Sequence, residues 1–127
     1  MSVALQRIGR ALTPLLRSSS LRPFSSYNPN LTPLQLDAIR ADCYLVDVRQ
    51  AEELVISGTV PGSHHVPLAE LPAQINNFPE TNTVFICQSG IRSLVAIDLA
   101  VRAGFEEPKH LEGGMNAWNK EFSKPSS

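Results

Sequence analysis

The sequence predicts an α/β domain: a mostly parallel central sheet covered by helices on both faces. Two observations predict it. Short apolar runs alternate with segments of helical period, which implies strands joined by right-handed helical crossovers. The chain has 127 residues and a 43% hydrophobic fraction, enough for one core and not two.

Residues 1–24 read as an address, not as part of the domain. Leu5, Ile8, Leu12, Leu15 and Leu16 recur at helical spacing, with arginines between them. Ser18, Ser19 and Ser20 follow, and the first acidic residue is Asp37. This is the composition of an organelle transit peptide, with the mitochondrial matrix as the expected destination and a plastid as the alternative. "RPFSS" (22–26) resembles the cleavage sites of mitochondrial presequences. A secretory signal fits less well, because "ALTPLL" is short and Pro14 interrupts it.

Residues 25–30, "SSYNPN", read as a linker, 31–123 as the domain and 124–127 as a tail. "LTPLQLDAIR" (31–40) opens a helix, with Thr32 as cap and Pro33 in the first position. "CYLVDV" (43–48) suits a buried strand. "QAEELVIS" (50–57) gives one or two helical turns, "GTVPGS" (58–63) a loop and "HHVP" (64–67) a short strand. "LAELPAQINNF" (68–78) reads as helical. "TVFIC" (83–87), β-branched and aromatic, is the expected central strand. In "SLVAIDLAVRAGF" (93–105), Leu94, Ile97 and Val101 share a helical face, and Gly104 suits the cap. "KHLE" (109–112) is a last strand, and "GGMNAWNKEF" (113–122) turns on glycines into a helix.

Several function classes are disfavoured. Without residues 1–24 the chain keeps 7 basic and 12 acidic residues, a net charge of −5, which argues against a nucleic-acid partner. No apolar run approaches the roughly 20 residues that span a bilayer, so no membrane partner is expected. His64 and His65 are adjacent, so on a strand they point to opposite faces, and His110 is distant in sequence. No metal site is expected. Cys43 and Cys87 make no disulfide framework.

The chemistry concentrates at Cys87. It ends the central strand, where open parallel sheets bind ligands, and a helix starts just after it. Asp47 and Glu112 end two other strands. Between Cys87 and the helix stand Gln88, Ser89, Gly90, Ile91 and Arg92. Such a loop can aim successive backbone N–H groups at one point, and Gly90 permits conformations that other residues avoid. The helix N-terminus and Arg92 favour thiolate over thiol. The bland alternative is an inert cysteine ending a buried strand; the glycine, serine and arginine after it are poor core residues and argue against that.

Four stretches in order carry a family resemblance: "LVDVRQAEEL" (45–54), "GTVPGSHHVPL" (58–68), "VFICQSGIRS" (84–93) and "LEGGMNAW" (111–118). The chain resembles the single-domain rhodanese family of thiosulfate sulfurtransferase-like transferases. The resemblance implies a three-layer rhodanese-like domain with about five strands. It implies that Cys87 accepts a sulfane sulfur from thiosulfate or a related small donor as a persulfide and passes it to a thiol or cyanide. It makes residues 88 to 92 the substrate cradle, and it implies no metal and no organic cofactor. Cysteine phosphatases use Cys-x5-Arg; here Cys87 to Arg92 is Cys-x4-Arg, too short a ring for phosphate.

The remaining motif residues read as support. Asp47 is expected to anchor backbone near the loop, and Arg49 to pair with Glu52 or Glu53. Ser93 starts the helix beside the site. Gly113 and Gly114 permit a tight turn against it. Trp118 and Cys43 are expected in the core. Two positions depart from the family pattern: Ile91, where a basic residue is common, and Thr59, where a histidine is. The loss of a cation beside Cys87 weakens attraction for doubly charged thiosulfate. One rival reading therefore stands: a sulfur-relay or protein-binding module, with a protein as sulfur acceptor and little small-molecule turnover. A phosphatase or arsenate reductase on the same fold is a second rival, which the short loop disfavours.

Overall fold

A computed structural model describes residues 27–123. The expected transit peptide (1–24) and the tail (124–127) lie outside the described residues. Strand β1 is Asn30–Leu31, β2 Tyr44–Asp47, β3 His64–His65, β4 Thr83–Ile86 and β5 Lys109–Leu111. Helices are α1 Pro33–Ile39, α2 Ala51–Ser57, α3 Leu71–Gln74, α4 Arg92–Arg102 and α5 Gly114–Phe122. The five strands form one sheet in the order β1-β5-β4-β2-β3, every pair parallel.

Strand periodicity divides the core into two layers. Leu45, Val84, Ile86 and Leu111 face one side, where Leu36 of α1 and Met115 and Trp118 of α5 cover them. Val46 and Phe85 face the other, beneath Leu71, Ile75, Phe78 and the α4 residues Ala96, Ile97 and Ala100. Successive side chains of a strand point to opposite faces, so a strand packed on both must be apolar at consecutive positions. Fully burying Phe85 alone stabilises the domain by about 1.5–3 kcal/mol. Trp118 is a core residue as expected, and Cys43 packs at the margin of the same layer.

Helix starts follow their capping chemistry. Thr32 Oγ1 accepts from Gln35 N at 3.2 Å, and Gln35 Oε1 accepts from Thr32 N at 2.9 Å, a reciprocal box that fixes the start of α1. Gly104, at φ +96°, ends α4.

Three expectations are corrected. The stretch 25–30 is not linker to its end: Asn30 pairs with His110 and Leu31 with Leu111, giving the sheet its fifth strand. Residues 68–78 form three short turns rather than one helix, with 3-10 segments at Leu68–Glu70 and Ile75–Asn77 around α3. The buried face of α4 is Ser93, Ala96, Ile97 and Ala100; Leu94 and Val101 are 48% and 50% exposed. Hydrogen bonds from Ser93 into the site set the rotation of this helix, and two alanines let it approach the sheet closely.

Candidate active site

Cys87 follows β4, the middle strand, and its carbonyl is locked from the far side. Met115 N donates to Cys87 O at 2.9 Å, and Asn116 N to Gln88 O at 3.0 Å. The first turn of α5 thus spends its unpaired N–H groups on the loop carbonyls. This approach requires glycine. A Cβ on Gly114, at φ +61°, would stand 2.4 Å from Cys87 O. Gly113, at φ +78°, supplies the left-handed turn expected of it.

With its carbonyls turned outward, the loop turns its N–H groups toward sulfur. Gly90 N donates to Cys87 Sγ at 3.1 Å and Ser93 N at 3.3 Å; Ser93 Oγ lies 3.4 Å away. Burial pushes the Cys87 thiol pKa up. The Ser93 hydroxyl and the N–H groups of Ser93, Gly90 and Ser89 outweigh it, so the thiol sits below its ordinary value. Cys43 goes the other way: burial and the Asp42 carboxylate push its thiol up, despite Lys109. The two cysteines are therefore shifted in opposite directions, Cys87 toward the thiolate and Cys43 toward the thiol.

The cradle residues divide by role. Ser89 and Ile91 are exposed, Ile91 to 69%, while Gly90 is buried against the Gly113–Gly114 turn. Gln88 is not free for a ligand: its Oε1 accepts from Arg49 Nη1 at 2.9 Å, and its Nε2 donates to Asn116 Oδ1 at 2.8 Å. Arg92 is gripped by Glu53 through two hydrogen bonds of 2.9 and 2.7 Å. That bond to Arg92 holds the Glu53 carboxyl down at about 2, against some opposing burial. The cation at the end of the loop is thus matched by a carboxylate from α2.

Arg49 corrects a sequence expectation. It pairs with neither Glu52 nor the Glu53 side chain. Its Nε and Nη2 take both carboxylate oxygens of Asp47, at 2.9 and 2.7 Å. The remaining guanidinium hydrogens reach Glu53 O, Gly58 O and Gln88 Oε1. Arg49 lies before the cap of α2, so helical spacing does not govern it. Asp47 anchors backbone as expected, accepting Arg49 N at 3.1 Å. Both side chains are fully buried. Glu112 is exposed just beyond β5.

One site residue escaped the sequence reading. His110 is buried on β5, with Nδ1 2.7 Å from Ser93 Oγ and Nε2 2.7 Å from Asn30 Oδ1. A signal for it existed. Leu111 is apolar and its strand neighbour must face the opposite layer, which is the layer of α4.

A thiol that accepts backbone N–H groups thus lies at the carboxyl end of a parallel α/β sheet. Residues 32–121 match the rhodanese-like domain, and the chain belongs to that family. A putative sulfurtransferase of Bacillus subtilis, YtwF, is 36% identical over 94 residues, covering 72% of this chain and 88% of its own length. The human thiosulfate:glutathione sulfurtransferase is 30% identical over 89 residues, covering 58% of this chain and 76% of its own. The mouse thiosulfate sulfurtransferase/rhodanese-like domain-containing protein 3 is 32% identical over 91 residues, 61% of this chain; the match spans only 58% of that longer protein. The solved human single-domain sulfurtransferase TSTD1 superposes with a TM-score of 0.64 at 27% identity, over 74% of this chain and 97% of that one. These relatives place the chain among sulfurtransferases in general.

Proposed function

We propose that the protein moves a sulfane sulfur from thiosulfate or a related donor to a thiol or cyanide through a persulfide on Cys87. The observation that carries this is the polar cradle on one sulfur: Gly90 N–H and Ser93 N–H donate to Cys87 Sγ, and the Ser93 hydroxyl, which accepts the thiol hydrogen at 3.4 Å, can turn to donate once the thiolate forms. The Cys87 thiolate attacks the outer sulfur of the donor. A sulfur–sulfur bond forms, the donor's own sulfur–sulfur bond breaks, and sulfite leaves with the electron pair. An acceptor thiolate or cyanide then attacks the outer sulfur, and Cys87 departs as thiolate. The same donors that stabilise the attacking thiolate stabilise it as leaving group, which suits ping-pong transfer. The name of the human relative, thiosulfate:glutathione sulfurtransferase, supports thiosulfate as donor and a thiol as acceptor.

Incubation with thiosulfate should add one sulfur atom, located at Cys87 by peptide mass spectrometry and removed by cyanide. Sulfur found on Cys43 instead would overturn the assignment.

A second reading, a sulfur relay between proteins, is favoured by exposed Ile91 and by the Glu53 carboxylate on Arg92. Both leave the loop poor in unmatched positive charge. Ile91→Lys separates the two readings. If thiosulfate meets this face, the added cation lowers its Michaelis constant at low salt, and the gain fades as the Debye length shrinks from about 30 Å at 0.01 M to about 8 Å at 0.15 M. An unchanged constant at low ionic strength would mean that position 91 does not face the donor, and would favour the relay.

A further inference from the structure

Sulfur transfer through Cys87 does not by itself account for a histidine buried behind the loop. His110 is 3% exposed, yet both ring nitrogens are engaged. Cys87 Sγ to Ser93 Oγ is 3.4 Å, Ser93 Oγ to His110 Nδ1 is 2.7 Å, and His110 Nε2 to Asn30 Oδ1 is 2.7 Å. One unbroken line of polar atoms runs from the reactive sulfur through α4 and β5 to the edge strand β1.

Its direction follows from what each atom can do. Asn30 Oδ1 only accepts, so Nε2 carries a hydrogen. In a neutral ring Nδ1 is then a lone pair, and it accepts the Ser93 hydroxyl. The Ser93 oxygen in turn accepts the Cys87 S–H. Asn30 thereby selects the tautomer whose free lone pair points toward the cysteine.

We propose that Ser93 and His110 form a proton relay that takes the Cys87 proton as the thiolate forms and returns it when the thiol re-forms. The S–H bond breaks as an O–H bond forms on Ser93; the original Ser93 O–H breaks as an N–H bond forms on Nδ1. No electrons change hands and the net charge of the site is constant. Afterwards Ser93 donates to the thiolate, Nδ1–H donates to Ser93, and Nε2–H still donates to Asn30. Every hydrogen has an acceptor in both states, so the chain is bistable without an orphaned polar group. Ser93 touches the reacting sulfur, while His110 acts through it as a positioning residue.

The surroundings fit a neutral pair better than an isolated charge. Burial lowers the proton affinity of His110, and the Glu112 carboxylate beyond its strand opposes that. From β1 and α4 the ring meets the neutral Asn30 and Ser93. On the far side of Cys87, the charge of Arg92 is matched by Glu53. A thiolate and an imidazolium two hydrogen bonds of a relay apart titrate as a coupled pair.

The inference rests on Cys87 as the nucleophile, but its test uses no sulfur donor, so the two can fail separately. Thiolate ultraviolet absorbance is titrated in a Cys43→Ser background, where Cys87 is the remaining thiol. His110→Asn keeps a hydrogen-bonding partner for Ser93 and removes the base. Its thiolate midpoint should rise by about one pH unit, a roughly tenfold loss of thiolate below the midpoint. Ser93→Ala should raise the midpoint as well, and adding His110→Asn to Ser93→Ala should shift it no further. An unchanged midpoint in His110→Asn overturns the relay. So does an equal extra shift in the double variant, which would mean that His110 acts through space. Nitrogen-15 spectra of the full chain keep the test open if a variant misfolds. At the pH of half-formed thiolate, Nδ1 of His110 should carry a hydrogen, and in Cys87→Ser it should not. The same neutral tautomer in both would end the proposal.

Discussion

Cys87→Ser should take up no sulfur from thiosulfate and lose at least about 10³-fold in transfer rate, as removal of a covalent nucleophile does elsewhere. It should still fold, with a change in urea stability below about 1.5 kcal/mol, because volume is nearly conserved and the serine oxygen can accept from Gly90 N and Ser93 N. The serine hydroxyl does not ionise near neutral pH, so the same donors find no anion to stabilise. Cys43→Ser should keep most of the activity. The pH profile carries the sign of the Cys87 shift. Since the thiol lies below its ordinary value, the loading rate should rise with pH and level off below the ordinary thiol range. A profile that follows the raised thiol of Cys43, or turnover surviving in Cys87→Ser, would place the chemistry elsewhere.

The strands were legible where they bury both faces. "LV" (45–46) and "VFI" (84–86) are apolar at consecutive positions because each residue meets a helix layer, Leu45 and Val84 on one side, Val46 and Phe85 on the other. Strand β1 was not legible. Asn30 and Leu31 form no apolar run, and they are a strand only because His110 and Leu111 offer an unpaired edge 80 residues away. Periodicity also failed on α4, where Leu94, Ile97 and Val101 outweigh Ser93 in apolarity. A polar residue turned inward by hydrogen bonds to sulfur and imidazole does not register in a hydrophobic pattern.

The site was legible in its local part alone. Cys87, Gly90 and the following helix are contiguous, so the cradle can be read from one loop. Its tuning is not contiguous: Glu53 and Arg92 are 39 positions apart, as are Arg49 and Gln88. Spacing rules apply within one helix or one strand pair, and they carry no information about contacts that only the crossovers create. Arg49 shows the hazard, since an arginine three and four residues from two glutamates suggests a surface helix pair, while the carboxylate two residues earlier holds it in the core.

Arg49→Met should be the most destabilising single change near the site, costing about 3–5 kcal/mol in urea unfolding, because it strips one partner from a buried ion pair. The guanidinium supplies six hydrogen bonds in the interior: three to Asp47, one of them the second arm of a fork from Nε, and one each to Glu53 O, Gly58 O and Gln88 Oε1. Methionine fills much of the volume and satisfies none of them. The Asp47 carboxylate is then buried without its counter-charge, and the carbonyls of Glu53 in α2 and of Gly58 just after it lose the guanidinium. Arg49→Lys should also destabilise, since one ammonium with three hydrogens cannot reproduce a planar fork. Asp47→Asn/Arg49→Met separates charge from packing. Neutralising the orphaned carboxylate should recover part of the loss, so the double variant should be more stable than Arg49→Met alone. A double variant equal to or below Arg49→Met would mean that packing, and not an unpaired buried charge, sets the cost. Because Gln88 bridges Arg49 to Asn116, the same loss should loosen the loop. Arg49→Met should therefore show a raised Cys87 thiolate midpoint under conditions where the domain is still folded.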